Sequence, residues 1–212
     1  MHQSSERRRR RLIAAMARFS LVGIVAFACL VPPPATATNW FGATGVYGQC
    51  VGGNRADAEP ESFYYDDLQP MIKTATDWVR SNVIGPAGLT TTYDTTPDYQ
   101  TDVIMRDRFY DDYCGLAWAT STSTGGVFGF TTCNGLDKPS TRCESQDVRI
   151  NNRAVVTTAL ARENVCHETG HAVGLKHPMT TAEMVGHSCL NSGAGVTTWL
   201  PHDVSHVSAA YG

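Results

Sequence analysis

No apolar run in this 212-residue chain approaches the roughly eighteen residues that a membrane-spanning helix needs. No internal repeat and no low-complexity linker follows residue 38, which leaves room for one ordinary domain and a short extension. Charge is sparse, at 17% of residues against 42% hydrophobic, and that balance excludes an intrinsically disordered chain. Positive charge is scarcest where it would matter for nucleic acid. Residues 1–37 hold six of the 17 Lys and Arg but one of the 20 Asp and Glu, so the remainder carries 11 basic and 19 acidic residues, a net charge of −8 with His neutral. Such a surface repels phosphate backbones and excludes nucleic acid as a partner.

What stands at the front reads as an export signal. Arg7 to Arg11 form a basic block, Phe19 to Val31 an uncharged apolar stretch, and Ala35-Thr36-Ala37 a small-x-small cleavage pattern after three prolines. Basic, apolar and small in that order is the layout of a secretory signal peptide, predicted to be cut after Ala37 and to leave a secreted, extracellular chain with no stable membrane insertion. Cys29 raises a lipid anchor, but bulky Phe27 fits a lipoprotein cut poorly. Beyond Cys29 the cysteines number six: Cys50, Cys114, Cys133, Cys143, Cys166 and Cys189. An even set in an exported chain predicts three disulfides, for which about fifteen pairings exist. Cys133–Cys143 is the natural short loop, Cys166–Cys189 would tie a helix to the segment after it, and Cys50–Cys114 is what remains.

Periodicity then organises residues 38–212. Residues 39–65 read as an irregular lead-in, a short pro-segment if it is removed. Leu68, Met71, Ile72, Ala75, Trp78 and Val79 lie on one face of an amphipathic helix, with Asp66 or Asp67 as its cap and Gly85-Pro86 as its stop. Short strands are predicted at Val103–Met105, Leu116–Thr120, Val127–Thr132 and Val148–Ile150. A second helix is predicted from about Thr157 to Val173 and a last one from Pro201 to about Ala210. Helix, strands, central helix and terminal helix make an α+β domain.

The chemistry is concentrated in Cys166-His167-Glu168-Thr169-Gly170-His171-Ala172-Val173-Gly174-Leu175-Lys176-His177-Pro178. His167 and His171 are four apart on a helix, so both imidazoles leave one face, one turn apart. That spacing lets two nitrogens reach one zinc ion at about 2.0–2.1 Å. Glu168 is rotated about 100° from His167, which takes it out of the ligand pair but leaves it within reach of a metal-bound water. A catalytic zinc normally takes three protein ligands and keeps one position for water. His177 is the third candidate, although a continuing helix would carry it about 240° round from His171. Gly174 can end the helix by adopting positive φ, Pro178 prevents its resumption, and His177 swings back. A bare HExxH pattern turns up by chance in roughly one protein in a few hundred. Gly and His at fixed offsets cut that about a thousandfold, which makes this a specific signal.

The stretch resembles the HExxHxxGxxH signature of the metzincin metallopeptidases, and the chain from residue 38 is similar to their small, secreted, matrixin-like bacterial members. The resemblance implies a metzincin-like zincin domain: a twisted mixed sheet, an active-site helix carrying Glu168, and a small C-terminal subdomain ending in a helix. It implies one catalytic Zn2+ and an extended polypeptide substrate lying along an edge strand. It also implies a methionine in a tight turn beneath the metal. The matching segment is His187-Ser188-Cys189-Leu190-Asn191, with Leu190 where Met is expected and Met184 as the alternative.

On this reading Glu168 is the general base and then the general acid of peptide hydrolysis, and the protein is a monomeric zinc metalloendopeptidase. The candidate edge is Gly115–Ala119, with Leu116, Ala117 and Trp118 touching substrate; an interior strand is the competing reading of that stretch. Residues near Thr197 to Leu200 are candidates to shape the primary pocket. Tyr211 is not favoured as an oxyanion donor. His202 and His206 are also four apart, but without an intervening Glu or a third partner they read as a polar helix face. Asp66-Asp67 and Asp111-Asp112 raise structural Ca2+, which no loop motif supports. Two other classes stay open: a zinc-binding but inactive secreted binding protein, against which an intact Glu168 argues, and a disulfide-bonded structural domain with an accidental motif.

Overall fold

The computed structural model describes residues 42–47, 49–57, 61–98, 100–110, 113–137, 142–178, 188–191, 193 and 195–212. The predicted signal peptide with Cys29, the Asp111-Asp112 pair, Met184 and His187 lie outside the described residues.

A mixed five-stranded sheet and three helices give an α+β domain. The strands are β3 (Glu61–Asp66), β4 (Thr91–Asp94), β5 (Val103–Asp107), β6 (Gly129–Asp137) and β7 (Arg142–Ile150), in spatial order β4-β3-β5-β7-β6. β3 runs parallel to β4 and β5, and β5 parallel to β7, while β6 returns antiparallel to β7 and forms one edge. A small antiparallel pair, β1 (Val46–Tyr47) and β2 (Cys50–Val51), precedes them.

The stretch 39–65 is therefore not an irregular lead-in. It holds β1 and β2, bridges to Thr132 and Cys143, and most of β3, which has neighbours on both sides. β3 escapes an alternation search because a strand inside a parallel array is buried on both faces. Phe63 and Tyr65 enter the core, while on the other face Ser62 bonds to Asp102, its N–H reaching Oδ2 at 2.6 Å. β3 is thus an interior strand of the sheet. The predicted strand Leu116–Thr120 is corrected as well: it makes only isolated bridges, Tyr113↔Leu116 and Trp118↔Val127, and joins no sheet.

Helix α1 (Pro70–Val79) begins with Pro70 in its first turn, where a missing N–H costs nothing. Neither Asp66 nor Asp67 caps it. The N-cap is Gln69, whose own N–H is accepted by Asp107 Oδ2 at 2.8 Å, while Asp66 pairs with Arg106 and Arg108. Gly85-Pro86 does not stop it either. The chain passes through a π turn (Arg80–Ile84) and a 3-10 turn (Gly85–Ala87) before Gly88 at φ 93° ends the run. A proline's absent N–H is no obstacle in the first positions of a new turn.

Helix α2 (Thr158–Ala172) starts at Thr157, whose Oγ1 accepts the Leu160 N–H at 3.3 Å. It packs against α1 over one face of the sheet. Ile72, Ala75 and Val79 meet Val103, Met105, Val148 and Ile150, with Ala161 and Val165 of α2 closing the same core. The opposite face carries an ion ladder from Asp66 through Arg106 to Asp147 and Arg149. Helix α3 (Pro201–Tyr211) opens on Pro201 as predicted and buries Val207. Its Tyr211 hydroxyl accepts the Ala56 N–H at 2.9 Å and donates to the Val173 carbonyl at 3.1 Å, tying the chain end to the end of α2.

The six cysteines pair as Cys50–Cys114, Cys133–Cys143 and Cys166–Cys189. No described helix is long and apolar enough to cross a membrane.

Candidate metal centre and cleft

Helix α2 ends where the sequence requires. Gly174 adopts φ 94°, the Leu175 N–H reaches the Gly170 carbonyl at 2.8 Å, and the Gly174 N–H reaches that of His171 at 3.1 Å. These are the two bonds of a Schellman close, which needs a left-handed residue. A Cβ at Gly174 would stand 2.6 Å from Arg55 Cγ, so space as well as φ demands glycine. The reversal sends His177 back over the helix.

Three imidazoles meet there. The Nε2 atoms stand 3.1 Å apart for His167 and His171, 3.0 Å for His171 and His177, and 2.8 Å for His177 and His167. His167 Nδ1 faces the Cys189 carbonyl at 2.8 Å and His171 Nδ1 faces that of Leu175 at 2.7 Å. A carbonyl only accepts, so both Nδ1 atoms carry the proton and both Nε2 atoms present a lone pair to the centre. Burial first, then mutual repulsion, pushes His167 down to about 4 and His171 well below the usual imidazole value; burial also lowers His177. Neutral nitrogens turned lone pair to lone pair want a shared cation. Donors about 2.0–2.1 Å from a tetrahedral ion stand about 3.3–3.4 Å apart, close to the spacing seen. The cluster can hold a metal ion, and among the described residues it is the one group in which three such side chains converge. His202 and His206 meet edge to face on α3 with ring centroids 4.6 Å apart and belong to no group of three such side chains among the described residues.

Glu168 lies in the same cleft, 4% exposed. Burial raises its carboxyl to about 8, against the lowering effect of Thr131. The Thr131 hydroxyl lies 2.8 Å from both Glu168 Oε2 and the Glu168 carbonyl, and its one proton serves either. A cation at the histidines would draw the carboxyl back down, since an opposite charge nearby favours the ionised form. Gly129 faces the carboxylate from the start of β6: a Cβ there would lie 2.8 Å from Glu168 Cγ and 2.9 Å from Oε1. Thr131 and Gly129 are both missing from the sequence reading. Their only signal is register, which exists once β6 is laid beside α2.

The cleft measures about 580 Å³ and is walled by β6 from Gly129 to Thr131, by Tyr47 and by Leu160, Glu163 and Asn164 of α2. Of the three predicted substrate contacts, Leu116 reaches it. Ala117 is exposed, its carbonyl accepting the Val127 N–H at 2.9 Å. Trp118 is buried, turned towards Tyr110 and Tyr113. The sheet edge beside the histidines is β6, not Gly115–Ala119. Leu190 is fully buried and packs on α2, so close that a Cβ on Gly170 would lie 3.0 Å from it. Trp199, from the stretch expected to shape a pocket, is instead buried, its Nε1 donating to the Cys166 carbonyl at 3.4 Å. No protein-family model matches the chain, and no curated protein is similar enough to it to count as a relative.

Proposed function

We propose that this chain is a secreted zinc-dependent endopeptidase of the metzincin kind. One observation carries the reading: three Nε2 atoms converge within a cleft that also holds a buried carboxyl, beside the edge strand β6, which Gly52 and Gly53 bridge only at Thr131 and Thr132 among the described residues. His167, His171 and His177 would hold the zinc, which when bound supplies Lewis-acid polarisation and a water of near-neutral pKa. An inactive zinc-binding protein would have no use for a carboxyl kept at this place by Thr131 and by a glycine opposite.

Glu168 takes a proton from the attacking water and later delivers it to the leaving amine. Burial favours its protonated form, so it can hold that proton between the two steps. Thr131 fixes which way the carboxyl points. An extended peptide would add to β6, main-chain hydrogen bonds giving affinity and the cleft side-chain preference. Tyr211 is committed to Ala56 and Val173 and takes no part. Three disulfides and a basic-apolar-small leader support an extracellular setting.

The test is digestion of casein or gelatin by the exported protein. Activity should vanish with a chelator, return with zinc, and be lost in Glu168→Ala while metal stays bound. Full activity in Glu168→Ala would refute the mechanism, and absence of bound metal would refute the site.

A further inference from the structure

The cleft continues past the histidines along α2, where Leu160, Glu163 and Asn164 line it. Glu163 stands four residues before His167, so its side chain leaves the same face one turn nearer the helix start. It is 8% exposed and yet part of the cleft wall. Its Oε1 accepts the Gly195 N–H at 3.0 Å. The Asn164 amide beside it is already spent on the Leu160 carbonyl at 2.9 Å. Arg162, next in sequence, turns away onto the Trp78 ring, 4.6 Å from its centroid. Among the described residues no cationic side chain pairs with Glu163.

A carboxylate accepts about four hydrogen bonds, and one backbone N–H uses one of them. A buried carboxylate that faces a cleft and, among the described residues, meets one backbone N–H and no cation is a site for a positive charge. Leu160, one turn away on α2, is aliphatic, as are Leu116 and Val127 elsewhere in the cleft lining, and such walls suit the methylene stem of a lysine or arginine whose head reaches inward. Four helical residues span about 6 Å, the length of such a side chain extended from a backbone held at the histidines. We propose that Glu163 makes this arm of the cleft a subsite for a basic side chain, Lys or Arg, adjacent to the scissile bond. The inference rests on the peptidase reading and adds a substrate class to it.

The test compares peptides differing only in the residue beside the bond cut, with Arg, Lys, Leu or Glu there, and maps the cuts by mass spectrometry. Zinc-loaded wild type should favour Arg and Lys over Leu in kcat/KM by about ten- to hundredfold. Glu163→Gln keeps an oxygen for the Gly195 N–H and should bring that ratio close to one, and Glu163→Lys should turn it towards Glu. A second readout is affinity: Glu168→Gln should bind arginine-containing dipeptide amides more tightly than leucine ones in calorimetry, and adding Glu163→Gln should erase the difference. Equal kcat/KM for basic and neutral peptides in wild type overturns the subsite and leaves the peptidase reading standing, as does a ratio that survives Glu163→Gln. If zinc-loaded wild type cuts no peptide of the set, the peptidase reading falls and the subsite with it.

Discussion

The Cys189 carbonyl accepts the His167 Nδ1–H at 2.8 Å, and the Cys189 sulfur is bonded to Cys166, the residue beside that histidine. One disulfide thus fixes both the backbone before the first of the three clustered histidines and the acceptor that sets its tautomer. Outer partners of this kind typically change metal affinity 10- to 100-fold, roughly, when removed. Replacing Cys166 and Cys189 together by serine should weaken zinc binding by about that factor, read by competition with a chromogenic chelator. Unchanged affinity in a folded double variant would show that the carbonyl keeps its place without the covalent tie.

Single replacements should separate ligand from base. His167→Ala, His171→Ala and His177→Ala each leave two nitrogens for the ion and should lose stoichiometric zinc on gel filtration. Glu168→Gln should keep the metal while kcat falls by about a hundredfold or more. Zinc lost equally from all four variants would make Glu168 a ligand instead.

Gly129 is predicted to matter through a single methyl group. Gly129→Ala would press a Cβ into the Glu168 carboxylate and displace it. A misplacement near 1 Å can cost about a hundredfold in rate, so kcat should fall steeply with zinc affinity retained. Wild-type kcat in Gly129→Ala would show that the strand moves instead.

Thr131 holds the Glu168 carboxyl lower than burial alone would. Thr131→Val removes the hydroxyl, so the Glu168 value should rise and the acid limb of the pH profile should move to higher pH. The shift is checked in kcat/KM against pH, and a limb that stays in place or moves down would contradict the assignment.

The histidines also give the metal-free chain a pH dependence of known sign. Their values are depressed in the folded protein, His167 to about 4, whereas an unfolded histidine titrates near 6.5. Between those values the unfolded chain binds more protons, so stability is full above about pH 6.5 and is lost as pH falls towards 4. Glu168, raised to about 8, acts in the opposite sense. The comparison is therefore made in Glu168→Gln, with and without the three histidines replaced by glutamine, as melting temperature against pH with chelator present. The histidine-containing protein should lose more stability from pH 6.5 to 4; parallel curves would count against the depressed values.

The centre was legible because its parts lie close together in the chain and obey helical geometry. His167 and His171 share a face by their spacing, and the reversal at Gly174 follows from a residue that alone adopts φ 94° readily. The boundaries of α2 and α3 followed from Thr157 and Pro201 in the same way. β3 was not legible, because burial on both faces removes the alternation that marks a strand. The end of α1 was misread because a proline is tolerated in the opening positions of a 3-10 turn.

By itself the sequence determined the cysteine set, the three convergent imidazoles and the carboxyl between two of them, since each depends on offsets of a few residues along one helix and its turn. Tertiary structure alone decided which strand borders the cleft, that Thr131 and Gly129 aim Glu168, and that Glu163 faces the same space. Those relations join residues some 35 to 40 apart for β6 and α2, through sheet register and helix packing, and no local periodicity encodes contacts at that range.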